Sequence, residues 1–401
     1  MKRILFVDDE PRVLEGLRRM LYGMRNEWHM EFAPNGEEAL KILQQREFEV
    51  VMTDMRMPGM DGAELLQHVA ELHPHVIRIV LSGQSDEASI LRCVGKSHLY
   101  LAKPCDAEMI KMIVTRACKL PDLLTQDKLK DVILQMESLP SLPAAYEELH
   151  AEIVSDEPSI QNVVEIVSKD VSLIARMLHL ANSAYFGGNL DVTDFKEAVL
   201  KLGLKTIGEL VLTANVFSHF DKALTKTLYT EEIMSHSLLV GRLAKALAEA
   251  EHLSQKAIGD SFSAGLIHDV GKLVLSSKLP QEYQQALESA KSENIRDVGA
   301  EYRIFGTTHA EVGAYLLGLW GLPDILVEAI AFHHSPNQAI RREIGPLAMV
   351  HAADVLEHEL DHKYAPGVGN QFDLEYLEAV NLADHLPLWK ETRDIVGIER
   401  Q

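Results

Sequence analysis

"VVMTDMRMPGMDG", Val50 to Gly62, is a short apolar run that closes on a carboxylate, Asp54, and passes at once into a stretch holding Pro58, Gly59 and Gly62. An apolar run of that length reads as a buried strand. The pattern recurs on both sides of it. "RILFV", "HMEFA", "VIRIVLS" and "LYLA" read as further strands, while "EEALKILQQ", "GAELLQHVAEL" and "AEMIKMIVTRA" carry apolar residues at helical spacing. Five strand and helix units over residues 1–120 predict an α/β domain with a doubly wound parallel sheet, its site in the crevice at the carboxyl ends of the strands.

Polar groups gather at those ends. Asp8 and Asp9 follow the first strand, Asp54 closes the third, Ser82 closes the fourth, and Lys103 follows the fifth just before Pro104. Three carboxylates at one edge repel each other unless a divalent cation neutralises them, and an oxygen-rich, compact site of this kind suits Mg²⁺. Ser82 and Lys103 then supply a hydroxyl and a cation to a phosphoryl group carried by Asp54 as nucleophile. Helix caps and loop polars account for any one of these residues, but poorly for all five together. The segment resembles the receiver domain of two-component response regulators over its full span. That resemblance implies a flavodoxin-like fold, Asp54 as phosphoacceptor, and a sensor histidine kinase as partner. It also implies Mg²⁺ held directly by Asp9 and Asp54, with Asp8 acting through water. Tyr100 matches the aromatic that reorients on activation in that family; a packed surface aromatic is the other reading.

The chain has 401 residues, which favours two or three domains, and its 47% apolar and 25% charged residues are ordinary for globular protein. A formal charge of -21 disfavours direct binding to nucleic acid or anionic lipid. The start lacks a secretion signal and no stretch reaches membrane-spanning length, so the expected location is the cytoplasm. Cys93, Cys105 and Cys118 lack CxxC spacing and read as packing residues. Residues 121–142 hold a helical pattern bounded by Pro121, Pro140 and Pro143, which predicts a helical connector or plain spacer.

From residue 143 to 401 the period is helical throughout, predicting an all-α bundle of a dozen or so helices. Within "AGLIHDVGKLVL", Ala264 to Leu275, His268 and Asp269 sit side by side in an apolar run. A buried, unpaired carboxylate is costly, so Asp269 needs a cation. His236, His309, His333, His334 and Asp354 occupy similar settings. Imidazoles and carboxylates in this mixture form a ligand set for Fe, Mn or Zn, and their number suggests two ions bridged by Asp269. The order of these residues resembles the metal-dependent phosphohydrolase superfamily named for its His-Asp doublet. The resemblance implies one metal at His236, His268, Asp269 and Asp354, and a second at Asp269, His309 and His333. His334 and Glu232 are then more peripheral, and Lys272 falls where the HD-GYP cyclic di-GMP phosphodiesterases hold substrate phosphate. Lys272 also reads as an electrostatic helix cap.

After His334 the chain reads "SPNQAIRREIG" without the GYP triplet. Upstream, "LPSLP", "DVSLIARMLHLANSAYFG" and "AVLKLGLKTIGELVL" resemble the HDOD domain, a related output module, with Asn182 and Ser183 in its signature. Of the eighteen histidines, His29, His68, His73, His75, His98 and His252 read as surface residues, and His179 and His219 as polar positions on amphipathic helices. Three functions share the receiver. The favoured one is a phosphorylation-controlled HDOD domain that acts by binding, with a protein partner or cyclic nucleotide downstream. The second is a metal-dependent phosphohydrolase acting on a cyclic dinucleotide or nucleotide, with Asp269 and Lys272 catalytic; the third is an iron-based gas or redox sensor. Receivers commonly pair through their last strand and helix, which makes a homodimer an expectation by analogy.

Overall fold

The computed structural model describes residues 1–82, 96–103, 105–119, 124, 126–136, 139, 143–155, 157–183, 191–212, 228–360 and 371–398. Two compact units divide it, the first built on Met1–Ser138 and the second on Leu139–Ala181, Asp191–Gly318 and Leu322–Gln401.

The first unit is the expected doubly wound sheet. Its strands β1 (Lys2–Val7), β2 (Trp28–Ala33), β3 (Val50–Asp54), β4 (Ile77–Ser82) and β5 (Leu99–Ala102) pair in parallel in the order β2-β1-β3-β4-β5. This is the flavodoxin-like order, with its switch point between β1 and β3. Around the sheet stand α1 (Pro11–Met20), α2 (Gly36–Gln45), α3 (Gly62–Leu72) and α4 (Ala107–Lys119). The opening stretch explains the start of α3. Asp61 accepts from the Glu64 N–H at 2.9 Å while Glu64 reaches back to the Asp61 N–H at 3.2 Å, a reciprocal cap that fixes where the turn after β3 ends. Leu5, Val7, Val51, Leu66, Val80 and Tyr100 belong to one buried core. A fifth helix, α5 (Asp127–Leu134), forms in the expected connector but belongs to this unit.

The second unit contains fourteen α-helices among the described residues and no strand. They are α6 (Pro143–Ile153), α7 (Ile160–Val167), α8 (Val171–Ala181), α9 (Phe195–Leu212), α10 (Leu228–Ala250), α11 (Gln255–Ile267) and α12 (Val270–Lys278). Then follow α13 (Pro280–Glu293), α14 (Asp297–Phe305), α15 (His309–Leu319), α16 (Asp324–Phe332), α17 (Pro346–Leu360), α18 (Leu374–Ala379) and α19 (Leu386–Ile398). Helix α9 breaks at Gly203, whose φ of 72° is non-helical. Every residue of α8 is buried, so His179, expected on an amphipathic face, is 3% exposed in a helix surrounded on all sides. His98 likewise departs from the surface position expected of it, at 2% exposed. His219 and Cys93 lie outside the described residues. No helix among the described residues is long and apolar enough to cross a membrane.

Candidate functional site

In the receiver, strand register brings the acidic ends together. Val7 of β1 pairs with Thr53 of β3, so Asp8 leaves β1 alongside Asp54, and Ser82 pairs with Ala102, so Lys103 leaves β5 beside the same edge. Lys103 Nζ lies 2.7 Å from Asp8 Oδ2 and in close contact with Asp54 Oδ1. Asp54 Oδ2 accepts from the Arg56 N–H at 2.9 Å, and Asp8 Oδ1 from the Glu10 N–H at 2.9 Å. Burial, with the like charge of Asp8, raises the Asp54 pKa against the opposing pull of Lys103. Burial disfavours the Lys103 ammonium, but the two carboxylates outweigh it and hold Lys103 above its ordinary value. Asp9 is half-buried beside them. Tyr100 is a core residue, 4% exposed, and not a surface aromatic. The Ser82 hydroxyl lies outside the described residues.

In the helical unit, most of the ligand-type residues sit at helix ends, two lie within helices, and all converge. His268 directly follows α11 and Asp269 directly precedes α12, so the doublet forms the joint between two helices. His309 opens α15, His333 and His334 follow α16, His236 lies on α10 and Asp354 on α17. Asp269 faces two ways. Its Oδ2 is 3.5 Å from both His236 Nε2 and His268 Nε2, and its Oδ1 is 3.1 Å from His309 Nε2 and 3.9 Å from His333 Nε2. Asp354 Oδ1 closes the first group, 3.3 Å from His236 Nε2 and 3.9 Å from His268 Nε2. The structure thus brings His236, His268 and Asp354 together on one side of Asp269, and His309 and His333 on the other. His334, expected at the periphery, lies further in: its Nε2 is 3.0 Å from His309 Nε2 and its Nδ1 is 3.5 Å from Asp354 Oδ2.

The outer nitrogens explain why the inner ones are available. His268 Nδ1 donates to the Gly265 carbonyl and His333 Nδ1 to the Ile330 carbonyl, both at 2.7 Å. His309 Nδ1 donates to Glu301 at 2.7 Å and His236 Nδ1 to Glu357 at 2.9 Å. With every Nδ1 so engaged, each ring turns Nε2 inward, the arrangement that orients metal-binding imidazoles. His236 Nε2, His268 Nε2 and His333 Nε2 are buried without a hydrogen-bond partner. Buried polar atoms are normally satisfied, so three such nitrogens turned toward shared carboxylates fit a cation.

The electrostatics separate two kinds of imidazole. Burial opposes charging His236 and His309, but the carboxylates beside them outweigh it and lift both to about 9. Burial lowers His268 to about 4 and also depresses His333 and His334. Asp269 and Asp354 stay well below the usual carboxylate range, because their cationic neighbours overcome the burial that would raise them. Lys272 Nζ lies 2.6 Å from Asp269 Oδ2. Burial works against its charge, yet Asp269 and Asp297 hold it above the ordinary lysine value. A cavity of about 620 Å³ opens onto this edge, lined by Glu232, His236, Asp269, Lys272, Lys291 and His358 among others. Glu232 is exposed at its wall and joins none of the close groups.

Sequence reasoning missed Glu301, Glu357, His351 and His358. Glu301, 1% exposed, accepts from both the N–H and Nδ1 of His309. His351 Nδ1 donates to the His333 carbonyl at 2.7 Å. His358 lies one turn after Asp354, with its Nδ1 3.1 Å from Asp354 Oδ1. The spacing of Asp354, Glu357 and His358 on one helix face was the available signal.

The HDOD domain profile matches residues 139–336, which include the doublet but end before Asp354, and the response regulator receiver domain profile matches residues 4–115. An uncharacterised protein of Treponema pallidum is 28% identical over 231 residues, 57% of this chain and 44% of its own length. The hydrogenase transcriptional regulatory protein HoxA of Cupriavidus necator is 36% identical over 97 residues, 24% of this chain and 20% of its own length. The chain thus spans less than half the length of these curated relatives. Among solved structures, the MmoQ response regulator of Methylococcus capsulatus aligns with a TM-score of 0.46 at 21% identity, covering 63% of this chain and 98% of that one. An HDOD domain protein of Geobacter sulfurreducens aligns with a TM-score of 0.37 at 24% identity, covering 72% and 98%. With a receiver domain followed by an HDOD domain, this chain belongs to the two-component response regulators whose output module is of the HDOD family.

Proposed function

We propose that a phosphoryl group on Asp54 controls an HDOD domain that acts by binding and holds two divalent transition-metal ions. The carrying observation is Asp269, whose two oxygens each face a separate pair of inward-turned imidazoles. His236, His268, Asp269 and Asp354 would hold one ion; Asp269, His309 and His333, with His334 close by, would hold the other. Nitrogen and carboxylate donors in this ratio suit Fe, Mn or Zn. In the receiver, Asp8, Asp9 and Asp54 form the acidic cradle for Mg²⁺, and Lys103 stands ready to neutralise the phosphoryl oxygens. A histidine kinase is the natural phosphodonor. Metal analysis of the purified protein tests the centre: two equivalents of Fe, Mn or Zn are expected, and protein that refuses every added ion would remove it.

A second reading, hydrolysis of a phosphoester such as a cyclic dinucleotide at the same centre, is favoured by Lys272 and the cavity beside it. When bound, such ions supply Lewis acidity toward a phosphoryl oxygen. Lys272 would neutralise charge on that oxygen from its place beside Asp269, and the cavity wall would orient the rest of the ligand. Turnover of cyclic dinucleotides by metal-loaded protein, lost in Lys272→Ala with metal content retained, would establish this reading. Metal without turnover favours the binding role or a sensor.

A further inference from the structure

Arg78, on β4, is a guanidinium with 1% of its surface exposed. A charge buried in a sheet is costly unless its N–H groups are taken up. Carbonyls take them: Nε donates to Lys96 O at 2.7 Å, Nη1 to Val76 O at 3.4 Å, and Nη2 to Leu134 O at 2.8 Å. His98 stands beside it. Its Nδ1 accepts from the Arg78 backbone N–H at 3.0 Å, so the ring proton is on Nε2, which donates to the same Leu134 carbonyl at 2.9 Å. The His98 N–H in turn bonds the Arg78 carbonyl at 2.8 Å.

Leu134 is the last residue of α5, where a helix leaves carbonyls without intrahelical partners and carries the negative end of its dipole. Here a buried cation and a neutral imidazole, both from the receiver, occupy that carbonyl. Leu129 and Ile133 of the same helix are buried as well, at 3% and 0% exposed. The other ends of the same two strands reach the acidic pocket. Ser82 lies four residues beyond Arg78 on β4, and Lys103 five residues beyond His98 through β5. At roughly 3.3 Å per residue, about 13–17 Å of continuous strand separates clamp from pocket.

We propose that Arg78 and His98 dock α5 onto the receiver as its transmission element, so that a change at the phosphoacceptor pocket moves α5 through β4 and β5. The docking stands on the geometry alone; its response to phosphorylation rests on Asp54 being the phosphoacceptor. Hydrogen exchange on the full chain, with and without acetyl phosphate and Mg²⁺, tests both parts, with Asp54 labelling followed separately. Amides of residues 130–136 are expected to exchange at least tenfold faster in Arg78→Leu, while peptides from β1 and β3 keep their protection. His98→Phe, which keeps the ring's bulk and removes both nitrogens, should show the same loss and replaces Arg78→Leu should that variant not fold. In the wild type, acetyl phosphate should change exchange over residues 130–136 at least threefold. Unchanged exchange there in the folded variants would overturn the docking. A wild-type response of zero with Asp54 labelled would overturn the transmission, whereas absence of label would remove the phosphoacceptor reading and the transmission with it.

Discussion

Gly271→Ala is the sharpest perturbation of the helical site. A Cβ at position 271 would stand 1.9 Å from the His309 carbonyl oxygen, 2.7 Å from its carbon and 2.8 Å from the Gly313 nitrogen. All three are backbone atoms, so no side chain can swing aside. Ordinary contact begins at 3.4 Å, which requires α12 and the start of α15 to part by about 1.5 Å. Overpacking a core in this way costs about 1–3 kcal/mol, and at 2–4 °C per kcal/mol for a domain of this size the melting temperature should fall by about 2–12 °C. Asp269 lies two residues before Gly271, and its Oδ1 is 3.1 Å from His309 Nε2, so the same retreat pulls the two apart. Metal ligation tolerates about 0.2 Å, and the His309 group should lose its ion. Calorimetry and metal analysis on the full chain read both effects. Gly299→Ala is the control: it lies in α14, where an added Cβ meets nothing within 4 Å, and should be neutral or stabilising by up to about 1 kcal/mol. If Gly271→Ala melts and binds metal like the wild type, the close approach of α12 and α15 does not set the site.

Glu301→Gln should lower metal affinity about 10–100-fold with little change in fold, read by competition with a chelator, because it weakens the acceptor that orients His309. Asp54→Asn should abolish labelling by acetyl phosphate, as followed by mass spectrometry. Metal affinity should rise with pH. His236 and His309 keep protons up to about 9 without metal, so each must release one on binding. Between pH 7 and 9 the slope should therefore approach about one tenfold step per pH unit for each proton displaced, with proton release measurable by calorimetry in two buffers. A flat affinity over that window would show that no proton leaves either imidazole on binding.

The receiver was legible almost throughout, because strands buried on both faces are continuous apolar runs and their carboxyl ends must carry whatever polar chemistry the sheet performs. The polar cluster of the helical unit was legible for the opposite reason: His268, Asp269, His309, His333 and Asp354 stand in apolar stretches of sequence where unpaired polar groups are costly. What escaped were groups whose cost is already met locally. Glu301 lies in the ordinary-looking helix "DVGAEYRIF", and nothing in that pattern says that its carboxylate is buried against a histidine eight residues away. His98 and Arg78 escaped likewise, since a buried guanidinium satisfied by three carbonyls leaves no mark on hydrophobic period. The break at Gly203 is equally silent, because a glycine within helical spacing reads as a mere weak point.

The proposed ligands of the helical unit come from helices spread between His236 and Asp354, and no single helix supplies more than a part of either group. A cation held at both ends of that span, as proposed, would act as a cross-link closing a loop of more than a hundred residues, whose entropy the unfolded chain would otherwise keep. Occupancy of the proposed centre and integrity of the whole bundle would then be one quantity measured in two ways. Stripping the ion would loosen the domain as a body, long before any individual helix lost its own hydrogen bonds.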